Sequence, residues 1–273
     1  MKPLSLFLFV FAMFASAASA QEGAGAAAAK APAPKAVFTP APSGLYVEVR
    51  GGFAPQDLTD PNANIAYMER VGVDSLGTPT PFRRFGDAGA YAVELGLRHG
   101  RWAWGVATEL QRQRVHTFAA GTGTGSLDLI SLMSTMDVRA VTTYRPAWLL
   151  GFEVGGSAGL AFAHYSEQFA LTVYRSPAND ASVSGAFHAV SFSGGPLLGW
   201  RRPLYGNWWL TARGAWLWRD FGELEGQYRN RSSAGTEIVD EPLRRLEDDA
   251  RAKIDGGGWQ FTAGLNWTIR GRR

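Results

Sequence analysis

The segment Gly257–Ile269 alternates along nearly its whole length. Gly257, Trp259, Phe261, Ala263, Leu265, Trp267 and Ile269 fall on one face, and Gly258, Gln260, Thr262, Gly264, Asn266 and Thr268 on the other. Successive side chains of a strand point to opposite sides, so one face suits oil and the other water. A lone strand leaves its backbone groups unbonded in lipid, and strands cross a bilayer only when they close on one another. The alternation therefore predicts a strand of a membrane-spanning barrel.

The N-terminus supports export. Lys2 precedes the apolar stretch Leu4–Phe14, and small residues end in Ala18-Ser19-Ala20 before Gln21. This is a charged n-region, a short h-region and a small-residue cleavage site. Residues 1–20 are read as a cleaved signal peptide, since the apolar stretch falls well short of the ~20 residues of a spanning helix. The sequence has no cysteine, which excludes cysteine lipidation, disulfides and thiolate metal sites. Glycine (33) and tryptophan (10) are both plentiful. The alternative, a soluble periplasmic β-protein, would have to hide its aromatic faces from water. Lys+Arg 27 against Asp+Glu 24 gives no strong field, and four of the 27 are lysine. The arginine bias fits either a GC-rich genome or recognition of phosphate and carboxylate. No basic patch interleaved with aromatics points to nucleic acid.

Residues 21–43, rich in Ala, Pro, Gly and Lys, read as a periplasmic linker without a core. Residues 44–273 read as the barrel, with eight alternating segments: 44–53, 88–99, 102–115, 126–144, 148–165, 185–201, 208–221 and 257–269. The connections after the second, fourth and sixth are tight: His99-Gly100-Arg101, Arg145-Pro146-Ala147 and Arg202–Asn207. Those after the others are longer, about 54–87, 116–125, 166–184 and 222–256. Short periplasmic turns and long extracellular loops are the outer-membrane pattern. In the last loop, Pro242–Lys253 could form a short helix, or the loop could hold extended strands. Trp102, Tyr144, Trp148, Trp200, Trp208 and Trp267 all lie close to a short turn or the C-terminus. Folding brings them to one height as an interfacial aromatic girdle.

With these features the chain resembles the small eight-stranded outer-membrane barrels of the OmpA transmembrane-domain and OmpX kind. The resemblance is architectural and covers residues 44 to about 270. It implies an all-β, antiparallel, up-and-down transmembrane barrel in the outer membrane of a Gram-negative bacterium. Thr262, Gly264, Trp267 and Ile269 stand where such barrels carry the signal read by the barrel-assembly machinery. The chain departs from the pattern by continuing into Arg270-Gly271-Arg272-Arg273. No counterpart of a periplasmic peptidoglycan-binding half is expected.

The lumen parity collects Glu48, Arg50, Glu94, Arg98, Glu109, Asp137, Arg139, Glu153 and Arg213. An eight-strand barrel is just wide enough to be filled by side chains, and buried charges must pair or be hydrated. The set reads as a polar plug, with a narrow gated ion path as the alternative.

Other patterns are weaker. Phe162-Ala163-His164-Tyr165-Ser166-Glu167 resembles the His-Tyr-Ser stretch of outer-membrane lipid A deacylases, which would make His164 and Ser166 a base and nucleophile. Glu167, however, has the opposite parity. Gly121-Thr122-Gly123-Thr124-Gly125 opens no helix and is no phosphate cradle. Asp57, Asp60, Asn62 and Asn64 offer oxygens for calcium, or form an ordinary polar turn, which is the expectation. The four histidines lack metal-ligand spacing.

The sequence thus predicts a non-enzymatic outer-membrane barrel with an envelope-structural or surface-interaction role. The alternatives are a lipid A-modifying enzyme and a narrow pore. No catalytic residue, cofactor or metal is expected. The expected partners are outer-membrane lipids, lipopolysaccharide, the assembly machinery and an unidentified ligand of the loops.

Overall fold

The computed structural model describes residues 43–54, 56–76, 81–121, 125–146, 148, 151–173 and 180–270. Residues 1–42, which hold the expected signal peptide and nearly all of the expected linker, lie outside the described residues. Strands β1 (Gly44–Ala54), β2 (Ala88–His99), β3 (Trp102–Gly121), β4 (Gly125–Tyr144), β5 (Phe152–Val173), β6 (Ala181–Pro203), β7 (Trp208–Leu217) and β12 (Gly258–Arg270) form a ring. Each is antiparallel to both neighbours, and β1–β12 and β6–β7 complete the circuit. The remaining strands, β8 (Asp220–Glu223), β9 (Glu225–Ser232), β10 (Gly235–Asp240) and β11 (Lys253–Asp255), lie between β7 and β12 in sequence. One helix, α1 (Thr59–Leu76), follows β1.

The faces follow the alternation. Leu45, Val93, Leu95, Val106, Leu160, Leu198 and Leu265 point outward and are exposed, while Glu48, Glu94, Asp137 and Asn266 point inward and are buried. On β12 the outward apolar run extends from Trp259 to Ile269. At ~3.3 Å per residue and a tilt of ~40°, that run is about 25 Å tall, the height of a bilayer-facing band. No described helix is long and apolar enough to cross a membrane.

The aromatic residues sit at the short-turn end of this band. Trp102 is paired with Tyr144, with ring centroids 4.8 Å apart, and Trp208 lies beside Trp267 at 6.2 Å. Trp200 stands opposite Phe152. Trp148 differs from expectation: β5 begins only at Phe152, so this residue belongs to the connecting turn, where it is exposed. A second set, Phe53, Phe261, Trp216 and Trp259, clusters at the other end, with centroid spacings of 5.3–6.0 Å.

Strands β3 to β6 run well past the band. The expected loops 116–125 and 166–184 are therefore largely strand, although residues 122–124 and 174–179 lie outside the described set. The reason is an exchange of character between faces. Above the row Leu110–Met136–Phe162–Val190, the outward residues turn polar, as at Arg112, Arg114 and His164. The inward residues turn apolar, as at Val115, Leu129, Met133 and Phe187. Here β6 leaves β7 and pairs with β9, and the register shifts by one residue across β8. Gly222, at φ 58°, sits at this irregularity in a conformation costly for other residues.

The extended walls enclose an apolar core. Leu58 and Ile65, Phe82 and Phe85, and Leu243 and Ile254 pack against Leu127, Leu129, Met133 and Phe187. Helix α1 contributes the inner stripe Pro61, Asn64, Ile65, Met68 and Gly72, at the i, i+3, i+4, i+7 spacing of a helix face. Asp57 Oδ1 accepts from the Thr59 backbone N–H at 3.0 Å and caps its start. The short helix considered for Pro242–Lys253 does not form. Residues 241–252 run as an irregular segment, tied to its neighbours by Leu243 N–H to the Leu224 carbonyl and Ala252 N–H to the Leu243 carbonyl.

Candidate functional site: the charged lumen

All nine lumen-parity residues face the inside of the ring. Glu48 has no solvent exposure and is the hub of the half nearest the short turns. It pairs with Arg50, with Arg201 Nη2 at 2.9 Å and with Arg213 Nη2 at 3.3 Å, and accepts from Asn266 Nδ2 at 3.0 Å. Glu94 accepts from Arg50 Nη1 at 3.0 Å, from Arg213 and from the Tyr46 hydroxyl at 2.6 Å. Glu153 is held by Arg98 at 3.4 Å and by Arg201 at 3.7 Å.

Tyr46 lies across this cluster, with Arg98 and Arg201 over its ring at 5.4 and 5.8 Å. Glycines make the space: a Cβ on Gly96 would stand 2.6 Å from the tyrosine hydroxyl, and one on Gly105 2.9 Å.

The other cluster sits nearer the apolar core. Arg139 Nη2 donates to Glu109 Oε2 at 2.6 Å, and Arg219 Nη1 to Asp137 Oδ2 at 3.1 Å. Ser193 Oγ also donates to Asp137 Oδ2, at 3.1 Å, and Gln111 Nε2 to Glu109 Oε1 at 2.6 Å. Gln56, from the segment before α1, reaches Gln111 at 2.7 Å and so ties the cap to the lumen network.

The network has two further members that the expected charge set left out, Arg201 and Arg219, both about 2% exposed; Arg219 shares the polar face of the expected strand 208–221 with Thr211 and Arg213. Each has lumen parity, but Arg201 sits at the edge of a turn and Arg219 beside the β7–β8 break. With them the balance becomes six guanidiniums to five carboxylates rather than four to five. Strands without a shared edge, such as β1 and β6, are cross-linked by these pairs. Between the two clusters, a void of about 10 Å³ touches Arg50, Arg139 and Arg213, room for about one water. Buried guanidinium–carboxylate contacts of this kind resist the loss of either partner, because the survivor is left charged and unpaired.

The other sequence candidates do not converge. His164 and Ser166 lie on the outer surface of β5, while Glu167 points inward. His164 stands opposite Ser134 on one side and His188 on the other.

Asp57, Asp60, Asn62 and Asn64 are spread over the start of α1, and each has its own partner. Asp60 accepts from the Lys253 backbone N–H at 2.8 Å. Asn62 brackets the Phe85 backbone, and Asn64 brackets the Arg244 carbonyl and the Leu246 N–H, both at 2.9 Å. Among the described residues, no three His, Cys, Asp or Glu gather as a metal site. Thr262, Gly264, Trp267 and Ile269 lie on β12, at the seam where the ring closes against β1.

No family model and no curated protein matches the chain. Among solved structures it is similar to a major outer membrane protein from Thermus thermophilus, at 13% identity over 82% of this chain and 99% of that one, with TM-score 0.44. It is also similar to the outer membrane protease OmpT from Escherichia coli, at 11% identity over 86% of this chain and 99% of that one, with TM-score 0.40. At TM-scores below 0.5 these likenesses assign no residue a role, and the fold rests on the strand pairings themselves.

Proposed function

We propose that this chain is an exported, integral outer-membrane barrel of the OmpA and OmpX kind, without enzymatic activity and closed to ions. Its role is to stabilise the envelope and present a capped surface. The observation that carries the reading is the lumen. Its charges pair across the ring, leaving a void of about 10 Å³ between the clusters. A conducting barrel needs a continuous hydrated path, and this one is plugged.

The membrane reading is supported by the exposed band. A contiguous ring of outward Leu, Val and Trp side chains is an aggregation hazard in water and a requirement in lipid. In this reading the short turns face the periplasm and α1 with the β9–β10 hairpin faces outside. Lipids and lipopolysaccharide contact the outer wall, and the assembly machinery recognises β12.

The separation of His164 and Ser166 from Glu167 favours this reading over a lipid A-modifying enzyme. The test is expression in cells whose lipid A is profiled by mass spectrometry. The profile should be unchanged, and acyl chains lost or gained in a Ser166-dependent way would overturn the non-enzymatic assignment.

A further inference from the structure

We propose that the cavity under α1 binds a small organic ammonium ion, a primary amine on a short apolar group, with Glu167 as its counter-ion. The site lies above the row that ends the apolar band and is independent of the role assigned to the lumen. The two regions differ in one respect. Each lumen carboxylate has a guanidinium within ion-pair distance. Glu167 points inward and meets only hydroxyls. Tyr165 donates to it at 2.9 Å, and Tyr228 is its other hydrogen-bond partner.

The space beside it has a volume of about 80 Å³. Its walls are chiefly Ile65, Met68, Leu129, Phe169 and Val183. A water requires roughly 10–15 Å³ on the same measure, so the cavity accommodates a ligand of several heavy atoms. A carboxylate in an apolar sleeve selects by charge. An anion is repelled, and a neutral molecule leaves the carboxylate uncompensated. A divalent metal would find too few oxygens among these walls. An alkylammonium supplies the missing positive charge and a tail that the walls can cover.

Without such a cation the proton is the competitor. Burial pushes the Glu167 carboxyl above the usual carboxylate range, so the ammonium binds best where the proton has left. The neighbouring charges are already engaged. Arg244, beside Tyr228, pairs with Glu241 and Asp249. On α1, Glu69 pairs with Arg84 and Arg70 with Glu247. Tyr165 and Tyr228 are held neutral by burial, well above their usual range. His164 and His188 face the outer surface. Glu167 is therefore the group facing the cavity whose charge follows the pH.

The experiment uses the full chain folded in detergent, titrated calorimetrically with n-butylammonium, n-butanol and butyrate. At pH 8, n-butylammonium should bind at least tenfold more tightly than n-butanol, and butyrate should not bind. At pH 5 the amine is still charged, yet its affinity should be lower than at pH 8, because the proton competes for the carboxylate. Glu167→Gln should remove the preference for the cation. Val183→Phe, which keeps the carboxyl and fills the cavity, should abolish binding, and both variants are checked for native circular dichroism. Equal affinities for the alcohol and the amine, an unchanged preference in Glu167→Gln, or no binding of n-butylammonium at pH 8 would each overturn the proposal.

Discussion

Arg201 on β6 reaches across the lumen to Glu48 on β1, placing Nη2 2.9 Å from Oε2 between strands that share no edge. The same guanidinium approaches Glu153 at 3.7 Å. Arg201→Met should therefore unbalance two carboxylates at once. Breaking a buried pair from one side costs about 3–5 kcal/mol. Urea titration in lipid vesicles should show a loss of that order, with part of it recovered in Glu48→Gln/Arg201→Met.

Height along one strand tests the membrane band. Val106 and Phe118 both point outward from β3 and are similarly exposed, at 54% and 58%. Val106 lies mid-band and Phe118 above it. An arginine at Val106 should cost about 2–4 kcal/mol in vesicles, and one at Phe118 about 0–1 kcal/mol. Equal costs would mean that no bilayer distinguishes the two heights.

The ring itself was legible because its strands obey period two, and their apolar face is the outward one from Leu45 to Ile269. The same rule hid the upper barrel. Past Leu110 the next three outward residues are Arg112, Arg114 and His116, so the apolar-out pattern breaks although the strand does not. Helix α1 was hidden differently. Its inner stripe contains Pro61, Asn64 and Gly72, which read as turn residues until the walls that cover them are known. Asp57, Asp60, Asn62 and Asn64 looked like a ligand cluster because sequence cannot show which distant backbone groups they meet. The lumen charges could be read from parity. Arg201 lies two residues from the end of β6 beside a turn, and Arg219 lies between β7 and β8, so parity alone did not show that either side chain reaches the network.

Asn64 fastens the cap. Its side-chain amide donates to the Arg244 carbonyl and accepts from the Leu246 N–H, joining α1 to the irregular segment before β11. Asn64→Ala removes both bonds and leaves two backbone groups unpaired, at about 1–3 kcal/mol each if they stay dry. Hydrogen exchange should rise in α1 and in residues 243–246, with β1, β2 and β12 unchanged.

Glu167 makes a pH-dependent contribution to the stability of the cap, and its sign follows from burial. Its carboxyl titrates higher in the folded chain than in the unfolded one, because burial disfavours the charge. The unfolded chain therefore loses this proton first as pH rises. Stability falls from about pH 4.3, the unfolded value, until the folded carboxyl has ionised, and acidification restores it. Glu167→Gln lacks the ionisation, so the difference in urea midpoint between pH 5 and pH 8 should be smaller in the variant. A difference of the same size in both would place the titrating group elsewhere.

The proposed closure of the lumen is tested most directly by conductance. Purified full-length protein is inserted into planar bilayers and recorded under applied voltage, with insertion verified by protease protection in parallel vesicles. The network of Glu48, Glu94, Glu109, Asp137 and Glu153 with their arginines predicts no steady current from the wild-type chain. A stable conductance that scales with salt concentration would contradict it, because the ion pairs would then line a path instead of filling one.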